Sequence, residues 1–198
     1  MRTETKRRLS YVLFAAAIVL LLLGTREFLG SRLGQFKAER EFDAEAEKSA
    51  SVEKPKTPAP ERFVPGETIA KMTIPRLSAE LFVVEGDGEE ELRRGPGHLS
   101  DSARPGSPGN CVIAGHRDTH FRVLKDIKKG DDILIETKTG QYLYRVKSTK
   151  IVSPNNTSAL KPTRHAALNL ITCYPFYYVG SAPKRFVVEA HLAGSVGT

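Results

Sequence analysis

The chain has 198 residues, 40% hydrophobic and 27% charged, which is room for one ordinary domain with appendages. The net charge is +7, but residues 1–66 hold 12 Lys+Arg against 9 Asp+Glu and residues 67–198 hold 18 against 14. Basic residues mixed so evenly with acidic ones describe a solvated surface and argue against a nucleic-acid partner. Two cysteines, Cys111 and Cys173, are too few for a disulfide framework, so they form one bridge or leave at least one free thiol.

Arg2, Lys6, Arg7 and Arg8 precede an apolar run from Leu9 to Gly24. Sixteen helical residues reach about 24 Å, short of a hydrocarbon core of roughly 30 Å. Arg7, Arg8 and Arg26 can snorkel, and Phe28 and Leu29 extend the apolar length. The following TREFLGSRLG lacks the small-residue pattern of a cleavage site, which favours an uncleaved signal-anchor. Residues 1–30 are therefore expected to form a cytoplasmic tip and a single transmembrane helix. The basic flank keeps the N-terminus inside and puts the rest of the chain outside the cytoplasmic membrane.

Residues 31–66 read as a stalk and spacer. The stretch 32–48 is rich in charged helix formers, whereas Pro55, Pro58, Pro60 and Pro65 impose an extended linker. The folded domain is expected over residues 67–198. Its segments Ile69–Ile74, Leu81–Val84, Asn110–Ala114, Asp132–Thr137, Tyr142–Val152, Ala167–Thr172 and Arg185–His191 are rich in Val, Ile, Tyr, Phe and Thr. Turn residues separate them, so the pattern predicts a mainly β domain, a closed barrel or a sandwich. Short helices are expected at Glu89–Arg93, Phe121–Asp126 and Ser158–Leu160.

Cys173 ends the apolar run LNLIT and precedes Tyr174–Pro175, which cannot continue a central strand. A cysteine there is held rigidly yet reaches solvent, as a nucleophile must. Taken alone, it is equally a buried core cysteine. His116 also stands at a strand end, behind Gly115, and Arg185 opens a strand after Pro183. Together the three have a chemistry. A cation beside a thiol stabilises the thiolate, an imidazolium can protonate a leaving amine, and a guanidinium can hold an oxyanion.

The segments GNCVIAGHRD, LNLITC and RFVV, with GPGHL at 95–99 and IAKMTIPRL at the domain start, resemble the bacterial sortases. CYPFYYVGSAPKRFVV most resembles the class D branch. Asn169 stands where the family's strand pattern begins with threonine; Leu170, Thr172 and Cys173 are retained. The resemblance implies a closed eight-stranded β-barrel with a few short helices. It implies catalytic residues His116, Cys173 and Arg185, substrate contacts from Thr172, Leu170 and His98, and neither metal nor cofactor. The implied activity is a membrane-anchored cysteine transpeptidase that cleaves an L-P-x-T-G-like sorting signal through a thioacyl intermediate. The implied partners are secreted proteins carrying that signal, an amine acceptor on a cell-wall peptide or a pilin lysine, and the bilayer through residues 9–24. The competing expectations are an extracytoplasmic cysteine protease and an anchored binding module without catalysis. Cys111, inside a strand, is expected to be an inert core thiol, and the spacing of His116 and His120 leaves a metal pair without further ligands.

Overall fold

The computed structural model describes Arg40, residues 64–178 and residues 180–196. The apolar segment 9–24 and nearly all of the stalk lie outside them. Among the described residues no helix is long and apolar enough to cross a membrane.

Eight strands close into a barrel in the order β1-β2-β3-β4-β7-β8-β6-β5. They are β1 (Thr68–Ile74), β2 (Ala79–Glu85), β3 (Gly97–His98), β4 (Asn110–Gly115), β5 (Asp132–Thr137), β6 (Gly140–Val152), β7 (Ala167–Tyr174) and β8 (Lys184–Val196). One short helix, α1 (Glu89–Arg94), and three 3-10 segments, Pro75–Leu77, His120–Asp126 and Ser158–Leu160, decorate it. Alternation points one set of side chains inward. Cys111 and Ile113 of β4, Leu168 and Leu170 of β7, and Val188 and Ala190 of β8 join Met72, Val83, Ile133, Ile135 and Tyr144 in one core. Each large apolar side chain buried there contributes about 1.5–3 kcal/mol.

All seven expected strands are present. The element that composition could not signal is β3, two residues long and containing a glycine. It exists because Gly97 lets the chain pass beside β2: a Cβ there would stand 2.1 Å from the Gly86 carbonyl oxygen. Strand β8 runs past the expected His191 because it pairs with β6 along its length, from Val152↔Arg185 to Gln141↔Val196. The segment His120–Asp126 is helical as expected but takes the tighter 3-10 form.

Two contacts hold strand ends of the barrel. Arg76 follows β1 and reaches across to the start of β5. Its Nε and Nη2 donate to the two carboxylate oxygens of buried Asp131 at 2.5 and 2.6 Å, and Nη2 also donates to the Asp126 carbonyl. The hydrogen bonds from Arg76 hold the Asp131 carboxyl below its ordinary pKa, helped by the Lys128 backbone N–H. At the end of β4, Gly115 has no side chain because the buried ring of Phe121 occupies its inward side, only 2.7 Å from where a Cβ would lie.

Gly115→Ala should therefore destabilise the fold by about 1–3 kcal/mol through overpacking, read as a lower melting temperature, and Phe121→Leu in the same chain should recover part of the loss. Arg76→Ala should lower the melting temperature at neutral pH. A depressed carboxyl pKa contributes stability above the unfolded value of about 3.9, which is lost as the pH falls through the folded value. The gap between wild type and Arg76→Ala should thus be widest near neutrality and close as melts are repeated below about pH 4.

Candidate active site

Strands β4 and β7 run parallel, with Asn110 opposite Ala167 and Gly115 opposite Thr172. One residue further along come His116, just past the end of β4, and Cys173, still within β7. On the other side of β7, antiparallel β8 sets Arg185 directly opposite Cys173. Because Leu168, Leu170, Val188 and Ala190 point inward, the odd-numbered positions Cys173 and Arg185 point outward. The register thus brings Cys173 and Arg185 level on neighbouring strands, with His116 just past the end of the strand on the other side of β7.

Each is fixed by its surroundings. The Gly115 carbonyl accepts a 2.7 Å hydrogen bond from buried Thr172 Oγ1, a side-chain rung added to the β4–β7 ladder. The His116 carbonyl accepts from the Phe121 N–H at 2.9 Å, so the peptide groups on both sides of the His116 Cα are tied down. Arg185 Nη1 donates to the carbonyls of Lys184 and Ala182 at 3.1 and 3.3 Å, holding its guanidinium against the connection between β7 and β8. Cys173 and His116 are both half-buried, and among the described residues no hydrogen bond joins the thiol to the imidazole. Such catalytic contacts are often loose before substrate arrives.

The two cysteines differ sharply. Cys111 is 1% exposed, and burial, with the Glu85 carboxylate adding to it, pushes its thiol pKa far up. A thiol so buried and so held in its neutral form is a poor nucleophile. Cys173 is free and partly accessible. The two are not bridged: Cys111 lies opposite Leu168, and Cys173 stands five residues further along β7, roughly 16 Å away at the rise of a strand.

The residues expected to touch substrate are all buried. Leu170 is fully buried in the core. Thr172 is buried and spends its hydroxyl on Gly115. His98 is 2% exposed: its Nδ1 meets Glu85 Oε2 at 2.9 Å, and its Nε2 donates to the Ala103 carbonyl at 3.1 Å. These three side chains are packed into the wall behind the site, His98 from its place in β3. His120 is likewise turned inward, 3.5 Å from the Arg93 carbonyl, and burial lowers its pKa.

Two features carry no signal in the sequence. Asn169, the departure from the family pattern, is buried and donates from Nδ2 to Asn110 Oδ1 at 2.6 Å. Asn110 Nδ2 in turn donates to the carbonyls of Ala159 and Lys161 at 2.7 and 3.0 Å, pinning the β6–β7 connection over the wall. Beneath that connection lies a cavity of about 180 Å³ lined by Asn110, Asn169, Lys150, Val152, Lys161 and Glu189. Asn169 and Cys173 share the outer face of β7, four residues apart. Glu189 is held down to about 2, chiefly by its hydrogen bond from Lys150. The second feature is Arg117, whose side chain crosses to the β7–β8 connection. A buried amide pair leaves no periodicity to read, and a surface arginine looks like any other.

The family model of the sortase domain matches residues 72–193. The chain is 41% identical over 125 residues to sortase D of Bacillus subtilis strain 168, covering 62% of this chain and 63% of that protein. It is 32% identical over 136 residues to sortase SrtE1 of Streptomyces coelicolor, covering 59% of this chain and 39% of the relative. The chain thus spans less than two thirds of the length of these curated relatives. Among solved structures, the catalytic domain of B. anthracis SrtD is 31% identical with a TM-score of 0.60, covering 73% of this chain and 100% of that one. The fold is also that of a Clostridium perfringens sortase D5 transpeptidase, at a TM-score of 0.65 and 24% identity, covering 83% of this chain and 99% of that one. With the family model matched over most of the barrel, and a close relative at 41% identity, the chain belongs to the sortase family.

Proposed function

We propose that the protein is a cysteine transpeptidase, anchored in the cytoplasmic membrane by residues 9–24, that cuts a sorting signal of the L-P-x-T-G type in secreted proteins. The observation that carries this reading is the pairing of Cys173 with Arg185 across β7 and β8, with His116 one residue past the end of β4, where β4 pairs β7 up to Thr172. The family match and its sortase D relatives support it.

In the first half-reaction the Cys173 thiolate attacks the threonyl carbonyl carbon. The C–S bond forms and the carbonyl electrons move onto oxygen, which accepts from the guanidinium of Arg185, the residue opposite Cys173 on the neighbouring strand. As the tetrahedral species collapses, the C–N bond to the next residue breaks and the His116 imidazolium gives its proton to the departing amine. In the second half-reaction the acceptor amine attacks the thioester, its proton passes to His116, and the C–S bond breaks to regenerate Cys173. The amine comes from a cell-wall peptide or a pilin lysine. The cavity beneath the β6–β7 connection lies on the same outer face as Cys173, in line with an extended chain laid along β7.

The test is to incubate full-length enzyme with a sorting peptide and a small primary amine and to weigh the products. Wild type should give the peptide's acyl portion joined to the amine. Cys173→Ala should give no product, and His116→Ala and Arg185→Ala should each be slower by about 10²-fold or more. Cleavage by Cys173→Ala would overturn the assignment. Hydrolysed product alone, at saturating amine, would make the enzyme a protease.

A further inference from the structure

The connection between β7 and β8 starts just after Cys173 and ends just before Arg185. Among the described residues, none of its positions from Pro175 to Pro183 makes a main-chain to main-chain hydrogen bond. Side chains hold it instead. Arg117, the residue after His116, donates from Nη2 to the carbonyls of Tyr178 and Gly180 at 2.7 and 3.2 Å. Its guanidinium carbon lies 5.7 Å from the Tyr178 ring centroid. Arg185 holds the Ala182 carbonyl from the other side. A second clasp follows on the 3-10 segment, where Lys125 Nζ donates to the Tyr177 hydroxyl at 2.9 Å and Arg122 lies over the same ring. Tyr177 and Tyr178 are 69% and 46% exposed, so these rings rest on cations and are not packed into the core.

We propose that Arg117 is a positioning residue that clamps the β7–β8 connection to the segment bearing His116, and thereby sets the spacing of His116 against Cys173 and Arg185. Three residues have to be held together, and the strand pairing fixes only their backbones. Beyond the last rung, Gly115↔Thr172, His116 has left its strand. Arg117 is then the link that runs from the His116 segment to the loop joining the other two residues. A guanidinium is suited to such a clamp, because one of its nitrogens spans two carbonyls while its planar face stacks on a tyrosine. The ammonium of a lysine is a point charge and does neither equally well. The buried Nη1 has no hydrogen-bond partner, so Nη2 and the ring contact carry the hold.

The proposal rests on reading His116 and Cys173 as a pair, and its test needs no substrate. The alkylation rate of Cys173 by iodoacetamide is followed against pH by mass spectrometry in full-length wild type, Arg117→Gln, Arg117→Lys and His116→Ala. Hydrogen exchange of residues 176–182 and thermal melts are taken on the same samples. The clamp predicts folded Gln and Lys variants with faster exchange across 176–182. It also predicts that both lose the wild-type pH profile and approach that of His116→Ala, with rates near neutrality about tenfold below wild type. Arg117→Lys is the deciding variant, because it keeps the charge and loses the two-carbonyl hold. A lysine variant with the wild-type profile would show that charge beside His116 matters and the clamp does not. Unchanged exchange across 176–182 in either variant would also overturn the proposal. If wild-type alkylation already matches His116→Ala while the sorting peptide is still transferred, the clamp is refuted and the transpeptidase reading stands. If the profiles separate as predicted and no peptide is transferred, the reverse holds.

Discussion

The hydrogen bond from Thr172 Oγ1 to the Gly115 carbonyl sits where the parallel pairing of β4 and β7 ends. Parallel strands offer evenly spaced, slanted rungs, and a register slip of one residue would turn every side chain to the opposite face. Here the register is held by inward Cys111, Ile113, Leu168 and Leu170 on both strands, and by a side-chain rung at the final pair. The next residues are His116, just past the end of β4, and Cys173, within β7. Lose that register and His116 and Cys173 no longer emerge on the same side of the wall. The nearby contacts serve the same end: Phe121 fills the space that Gly115 leaves and ties the His116 carbonyl, while β8 delivers Arg185 opposite the thiol.

The barrel sorts its polar groups by depth. Cys111 is sealed in the core, where burial keeps it a neutral thiol; Cys173, at the end of a strand on the outer face, is the accessible one. Thr172 and His98 satisfy buried partners. A buried polar group without a partner costs about 1–3 kcal/mol, so their hydrogen bonds are part of the wall's integrity. Asn110 and Asn169 do the same work under the β6–β7 connection, where the amide pair both fills its own needs and caps two loop carbonyls.

Much of this was legible in the sequence because it follows from alternation. Runs such as DILIET and LNLITC carry the period of a strand with one core face, and they fold as strands Asp132–Thr137 and Ala167–Tyr174. His116 and Cys173 were visible because each ends such a run. What was hidden depends on contacts between distant segments. Strand β3 is two residues long and exists through the close approach of Gly97 to Gly86. The inward turn of His98 follows from that strand, since two residues show no alternation. Arg117 and Tyr178 of the β7–β8 connection find each other across 61 residues of chain. Asn169 looked like a departure from the family pattern, and only its partner Asn110, 59 residues away, gives it a reason.

The central claim is that the outward thiol at the end of β7 forms the covalent intermediate. The direct measurement is peptide mapping of the full-length enzyme quenched in acid soon after mixing with a sorting peptide and no amine. The account predicts a mass gain equal to the acyl portion of the cleaved peptide, carried by the fragment containing Cys173 and discharged by hydroxylamine, with Cys111 unmodified. An acyl group mapped to any other residue, or cleaved peptide with Cys173 unmodified throughout the reaction, would contradict it.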